Sequence, residues 1–217
     1  THLTVRSRQG DSFYIIKFGL LFDEVTPDNL IQVDFNGRVI DGKEEIFNPT
    51  GYTIHSSVYK ARPDINAIFH SHMVPMISVG SMPQGLLPVS QWALHFYDKV
   101  SYHEYDSLAL DLDIQGNKIA NDLGENSVLM MRNHGVLVCG VDLPEAYYFH
   151  HHLNQACQLQ CQLLATGAEY VSPDHDHCVR TRQDLLGFEI KNGHRDWQAL
   201  RRYHKDLFRK RAIEEII

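Results

Sequence analysis

The chain has 217 residues, 43% hydrophobic and 22% charged, with a formal net charge of −7. That length supports a sizeable core, and an acidic balance with no basic run argues against a nucleic-acid partner. No apolar stretch is long enough to span a membrane, so no membrane partner is expected. Thr1–Arg6 lacks the apolar core of a secretory signal and opens directly in strand-like sequence, as if upstream residues preceded it. Four cysteines (Cys139, Cys157, Cys161, Cys178) form no Cys-x-x-Cys pair, which points to a reduced, cytoplasmic chain. Histidine stands out: the 14 present prompt a search for a site and also raise the rate of accidental pairs.

No repeat or linker divides the sequence, so a single domain, 1–217, is expected, with a peripheral tail from about residue 173. Ser12–Ile16 reads as a strand leading to a turn at Gly19. Leu30–Phe35 and Arg38–Ile40 flank Asn36-Gly37, which predicts a hairpin with a two-residue turn. Ile54, Val58 and Ala61 recur at helical spacing, predicting a helix over about 53–61 stopped by Pro63. Ile65–Met73 reads as a strand with Ile65, Ala67 and Phe69 on one face and Ile68, His70 and His72 on the other. Val128–Met131 should meet Val136–Val138 across a turn holding Asn133-His134-Gly135. A helix begins near Asp142, with Asp142 as N-cap, Glu145 three residues on and Pro144 in the first turn. Its apolar positions run through Ala146, Phe149, Leu153 and Ala156, and Gly167 ends it. The last stretch, 197–217, reads as an amphipathic helix rich in Arg and Lys. The interleaving predicts an α/β domain with a mixed, largely antiparallel sheet.

His70-Ser71-His72 is weak evidence alone, because His150-His151-His152 and His175-Asp176-His177 compete with it. Context favours it: a strand places both imidazoles on one face, and His134 closes a separate hairpin whose tip could lie over that face. Three neutral imidazoles with an open position are the ligand set of catalytic zinc. The run at 150–152 follows helical geometry, points three ways, and suits a solvated or interface face. His175, His177 and Cys178 read as part of a polar loop. Arg132, beside His134, suits either a substrate carboxylate or a structural salt bridge.

The stretch from Ile54 to His72, with His-x-x-Val-Tyr, Arg-Pro-Asp and His-x-His, resembles the signature of the class II aldolase/adducin family. Met131–Leu137 is similar to its second signature, the Asn-His-Gly turn. Val33-Asp34 with Gly37 and the helix after Gly140 also fall in register, and the similarity spans about Leu3 to Gly167. Leu86–Gln91 and Val100–Tyr105 resemble the adducin-like branch. The resemblance implies a three-layer α/β/α sandwich and a homotetramer with sites between subunits. It implies metal ligands His70, His72 and His134 for a divalent ion, zinc first, with manganese, cobalt or iron as alternatives. It also implies chemistry on a small oxygenated substrate through a metal-stabilised enolate.

The same resemblance marks departures. The family aldolases place a catalytic Glu at the position of Gly51, and glycine cannot move a proton. Their phosphate-binding loops correspond to Thr1-His2-Leu3-Thr4, Phe18-Gly19 and Pro49-Thr50, which lack several donors. Tyr102 matches a tyrosine sent across the subunit interface as a proton donor; with the Glu lost, a half-buried strand aromatic is the reading that competes with that role and outweighs it. His103 could supply acid/base function or cap a strand edge. His55 reads as a structural histidine, and His2 could meet an anionic substrate group. Two functions compete: a zinc-dependent lyase performing C–C cleavage or decarboxylation, and a non-catalytic, adducin-like scaffold with a structural metal.

Overall fold

The computed structural model describes residues 1–40 and 46–214, with side chains through residue 205. Among them, seven strands form one sheet in the order β3-β2-β1-β4-β7-β6-β5. They are β1 His2–Arg6, β2 Ser12–Ile16, β3 Leu30–Asp34, β4 Ala67–Ser71, β5 Val100–His103, β6 Val128–Met131 and β7 Gly135–Gly140. Only β5 and β6 run parallel; every other pair is antiparallel. One face is covered by α1 (Pro49–Ala61) and α4 (Asn117–Leu123), whose Ile54, Val58 and Ile119 pack on Phe13, Ile31 and Leu137. The other is covered by α2 (Val74–Gly80), α3 (Gln91–Leu94) and α5 (Leu143–Ala165), with Met76, Phe149 and Leu153 against Met130 and Val138. The expected three-layer α/β/α sandwich is therefore what the chain adopts. Central strands β6 and β7 are buried along their whole length, as strands covered on both faces must be. No described helix is long and apolar enough to cross a membrane.

Several boundaries move. The turn after β3 is a three-residue loop: Asp34 N–H donates to Arg38 O, Gly37 N–H to Asp34 O, and only Gly37 adopts positive φ. The returning arm is reduced to a single Val33–Val39 bridge. Helix α1 starts at Pro49, four residues before the expected start, because Asn48 caps it and Pro49 suits its first position. Apolar spacing begins only at Ile54, so that first turn carries no periodic signal. Strand β4 is shorter than 65–73, and Ile65 packs with the Ile68 side rather than with Phe69. Asp142 caps α5 as expected, accepting the Glu145 N–H, while Glu145 reaches back to Val141 N–H.

The expected loop at His175, His177 and Cys178 is instead the first turn of α6 (His175–Gly187), capped by Asp174, with Cys178 buried. The polar composition hid it, since a capped helix lying on a finished core needs few apolar positions. Helix α7 runs His194–Glu214, so the expected helix begins three residues early, and residues 215–217 lie outside the described ones. The tail packs on the body: Tyr97 Oη meets His175 Nδ1 at 3.0 Å, and His194 Nε2 meets Asp142 at 2.6 Å. All four cysteines are free.

The run at 150–152 is not a uniformly solvated face. His150 shares a 2.7 Å hydrogen bond with Ser71 Oγ and stacks on Phe69, while His152 lies 4.6 Å from His95 between ring centroids. Burial pushes His95 and His150 down to about 4 and holds His55 well below its usual value. Unfolded histidine titrates near about 6.5, so between pH ~6.5 and ~4 the unfolded chain binds protons that the folded chain refuses. Stability is thus full above that window and falls as pH drops through it. Urea midpoints measured from pH 7.5 to 4.5 should decline steadily below about pH 6.5; a flat profile would contradict buried, neutral histidines.

Candidate metal centre

Strand β4 is pleated so that His70 and the residue just beyond its end, His72, project on one side. Their Nε2 atoms lie 2.9 Å apart. The β6–β7 turn brings His134 over them. Asn133 takes the left-handed conformation, φ 59°, which Asn tolerates better than most residues, and His134 N–H closes the turn on Met131 O. The three ring centroids are 4.8–4.9 Å apart with interplanar angles of 68–89°, and one nitrogen from each lies within 4.8 Å of the others. Gly135 allows the approach: a Cβ there would fall 2.6 Å from Ser71 O and 2.8 Å from His72 Cδ2. Gly135→Ala should therefore push His72 out of line and weaken zinc binding about 10- to 100-fold, the scale of losing an orienting group. Calorimetry would show it, and unaltered affinity would mean that the strand ends shift freely.

Electrostatics favour three neutral imidazoles. Burial, reinforced by neighbouring rings, holds His70 well below its usual value and pushes His134 down to about 4; burial also lowers His72. Neutral imidazole is the form that ligates metal, and a nitrogen spacing between 2.9 and 4.8 Å brackets the ~3.4 Å edge of a tetrahedral zinc site. The donor set fits a divalent ion. It is the single such cluster among the described residues.

His103 ends β5, and Arg132 N–H donates to its carbonyl at 2.9 Å, tying it to the His134 turn. The ring is 4% exposed, its Nδ1 meets Asp122 Oδ2 at 2.6 Å, and it lines a small cleft with His134, Tyr105 and Gln115. Asp122 was not visible as a partner in the sequence, since nothing in its spacing from His103 marks it. Tyr102 is placed differently: its hydroxyl accepts from Leu86 N–H at 2.9 Å beneath Gly85, and Arg132 lies over its ring at 4.8 Å. Arg132 is structural, not free for a substrate carboxylate, as it bonds Glu104, Gly80 O and Met82 O. His55 is fully buried against Thr4 Oγ1 at 2.6 Å, the structural role expected. His2, on β1 directly opposite His70, stacks on that ring at 5.3 Å.

A two-faced α/β layer with three convergent imidazoles at the end of its central strands defines a candidate mononuclear metal protein. The description "Class II Aldolase and Adducin N-terminal domain" matches residues 1–161, and the chain belongs to that family. It is 37% identical over 172 residues to a Pseudomonas aeruginosa protein provisionally named an aldolase class 2 protein, covering 79% of this chain and 66% of that one. It is 40% identical to mouse (Mus musculus) alpha-adducin over 76% of this chain but only 23% of the relative. It thus spans less than two thirds of these curated relatives. Among solved structures, an aldolase II superfamily protein from Pseudomonas syringae superposes with a TM-score of 0.84 at 37% identity, covering 94% of this chain and 82% of that one. An L-fuculose 1-phosphate aldolase from Glaciozyma antarctica follows with a TM-score of 0.75 at 31% identity, covering 85% and 72%.

Proposed function

We propose that the chain is a divalent-metal-dependent lyase acting on a small hydroxy-carbonyl compound. The observation that carries this reading is the convergence of His70, His72 and His134, the last lining a small cleft with His103, whose ring Asp122 engages. The three histidines would hold the ion, with zinc the first candidate and manganese, cobalt or iron the alternatives. A bound ion supplies Lewis acidity that polarises a carbonyl and stabilises developing negative charge, the need shared by C–C cleavage and decarboxylation. His103 is the acid/base group: Asp122 engages Nδ1 and fixes the ring, leaving Nε2 able to accept or give a proton. Tyr102, its hydroxyl engaged inside its own subunit, belongs to the site only through assembly, and the proposed assembly is a homotetramer. A cytoplasmic location is part of the same reading.

Sugar phosphates are poor candidates. Thr1–Thr4 is bound into β1 or leads into it, and the Thr50 N–H and hydroxyl both go to Asn48 Oδ1. The exposed Phe18 ring offers a phosphate nothing. The competing scaffold reading draws on the likeness to alpha-adducin and on Gly51. The test is a zinc-loaded protein offered a panel of small hydroxy-ketones and 3-keto acids. Turnover is expected on at least one, with kcat lowered about 10²–10⁴-fold in His103→Gln and KM little changed. No turnover on any, with zinc bound, would favour the scaffold.

A further inference from the structure

Gly51, where the family's aldolases carry their acid/base, is not an empty place in this chain. A Cβ on Gly51 would lie 3.0 Å from Cγ, Cδ2 and Nδ1 of His2. The His2 imidazole therefore fills the volume from which a carboxylate would emerge. It is 6% exposed and stacks nearly parallel on His70, with an interplanar angle of 17°. The ring's other polar contact is with Asn48, whose Nδ2 lies 2.8 Å from His2 Nε2.

That contact fixes the tautomer. Asn48 Oδ1 already accepts from Thr50 N–H at 3.0 Å and Thr50 Oγ1 at 2.9 Å, so the amide cannot be turned round. Asn48 Nδ2 is then the donor, and His2 Nε2 must be an acceptor without a proton. The imidazole proton sits on Nδ1. That Nδ1 is buried and has no protein partner, a costly state for an N–H unless something bonds it. The ring lies face-on to the Cα of Gly51 and stacks on His70, so this Nδ1–H is held on the edge of a ring in contact with a candidate ligand.

We propose that His2 Nδ1–H is a fixed hydrogen-bond donor to a substrate oxygen, so that the site carries a rigid donor on the ring beside His70 and no proton shuttle at position 51. The inference rests on the metal-site reading above and narrows it. A site with such a donor favours substrates presenting an oxyanion or carboxylate oxygen near the ion, and it stabilises charge there without moving a proton. Asn48 and Thr50 are positioning residues, holding the ring through a chain of three hydrogen bonds.

Two measurements test this. Long-range 15N–1H NMR on metal-free protein labelled at histidine should show His2 as the Nδ1–H tautomer, and an Nε2–H tautomer overturns the proposal. Glycolate and acetohydroxamate should then be titrated calorimetrically into zinc-loaded wild type, His2→Phe and His2→Asn. His2→Phe, which keeps the ring and loses the donor, should weaken both probes by about 10- to 100-fold at unchanged zinc affinity. His2→Asn, whose amide nitrogen can stand near the Nδ1 position, should restore most of the loss. Equal probe affinity in wild type and His2→Phe overturns the proposal alone. Failure of the wild-type protein to bind zinc overturns the metal reading and this proposal together.

Discussion

His134→Ala is expected to lower zinc affinity by at least about 10²-fold, beyond what losing an outer orienting partner costs, while leaving the fold intact. His134 stands at the tip of the β6–β7 turn, and its ring contacts are His70 and His72. The turn is held by backbone bonds and by Asn133 N–H on Ser81 Oγ, none of which needs the imidazole. His70→Ala would be a poorer test, since that ring is 1% exposed in the core and its loss leaves a cavity. Calorimetric titration of chelator-treated protein should show one strong site in the wild type and none of comparable strength in the variant, with superimposable thermal melts. Equal affinities would place the ion elsewhere.

The second large effect concerns Gly51. Without a positioned carboxylate, cleavage of simple ketose 1-phosphates by the wild-type chain should run about 10²–10⁴-fold below that of an enzyme possessing one. Gly51→Glu alone should not restore it. The new Cβ would stand 3.0 Å from the His2 ring, which must give way, an overpacking that costs about 1–3 kcal/mol. His2→Ala/Gly51→Glu removes the obstruction and should recover part of the cleavage rate at a stability closer to wild type. A coupled assay for the released aldehyde decides the matter. Fast cleavage by the unmodified protein would mean that another group, with His103 first in line, already moves the proton.

Much of this site could be read from residues alone, for identifiable reasons. His70 and His72 sit at and just past the end of one strand, whose period of two settles their direction, and Asn-His-Gly is a turn whose backbone needs are plain. The layers followed from strands and helices that alternate along the chain. What escaped was long-range and polar. Asp122 finds His103 through the parallel β5–β6 pair and the packing of α4, which no local period announces. His2 meets Gly51 because α1 packs across β1, a placement set by the whole fold rather than by Thr1–Arg6. Helix α6 was missed since its stop and start signals sit in polar sequence with only Cys178 fully buried. The hairpin after β3 shows a finer limit: Asn36-Gly37 marked the turn, but Asp34 Oδ1 also accepts from Asn36 and Arg38 N–H groups and draws the loop to three residues.

The central claim is that His70, His72 and His134 hold one divalent ion with an open position. X-ray absorption at the zinc edge, on protein loaded with one equivalent of zinc, tests it most directly. The account predicts three imidazole nitrogens at about 2.0–2.1 Å plus an oxygen that glycolate replaces, tetrahedral or five-coordinate. A sulfur scatterer at about 2.3 Å, or a shell identical in His134→Ala, would contradict it.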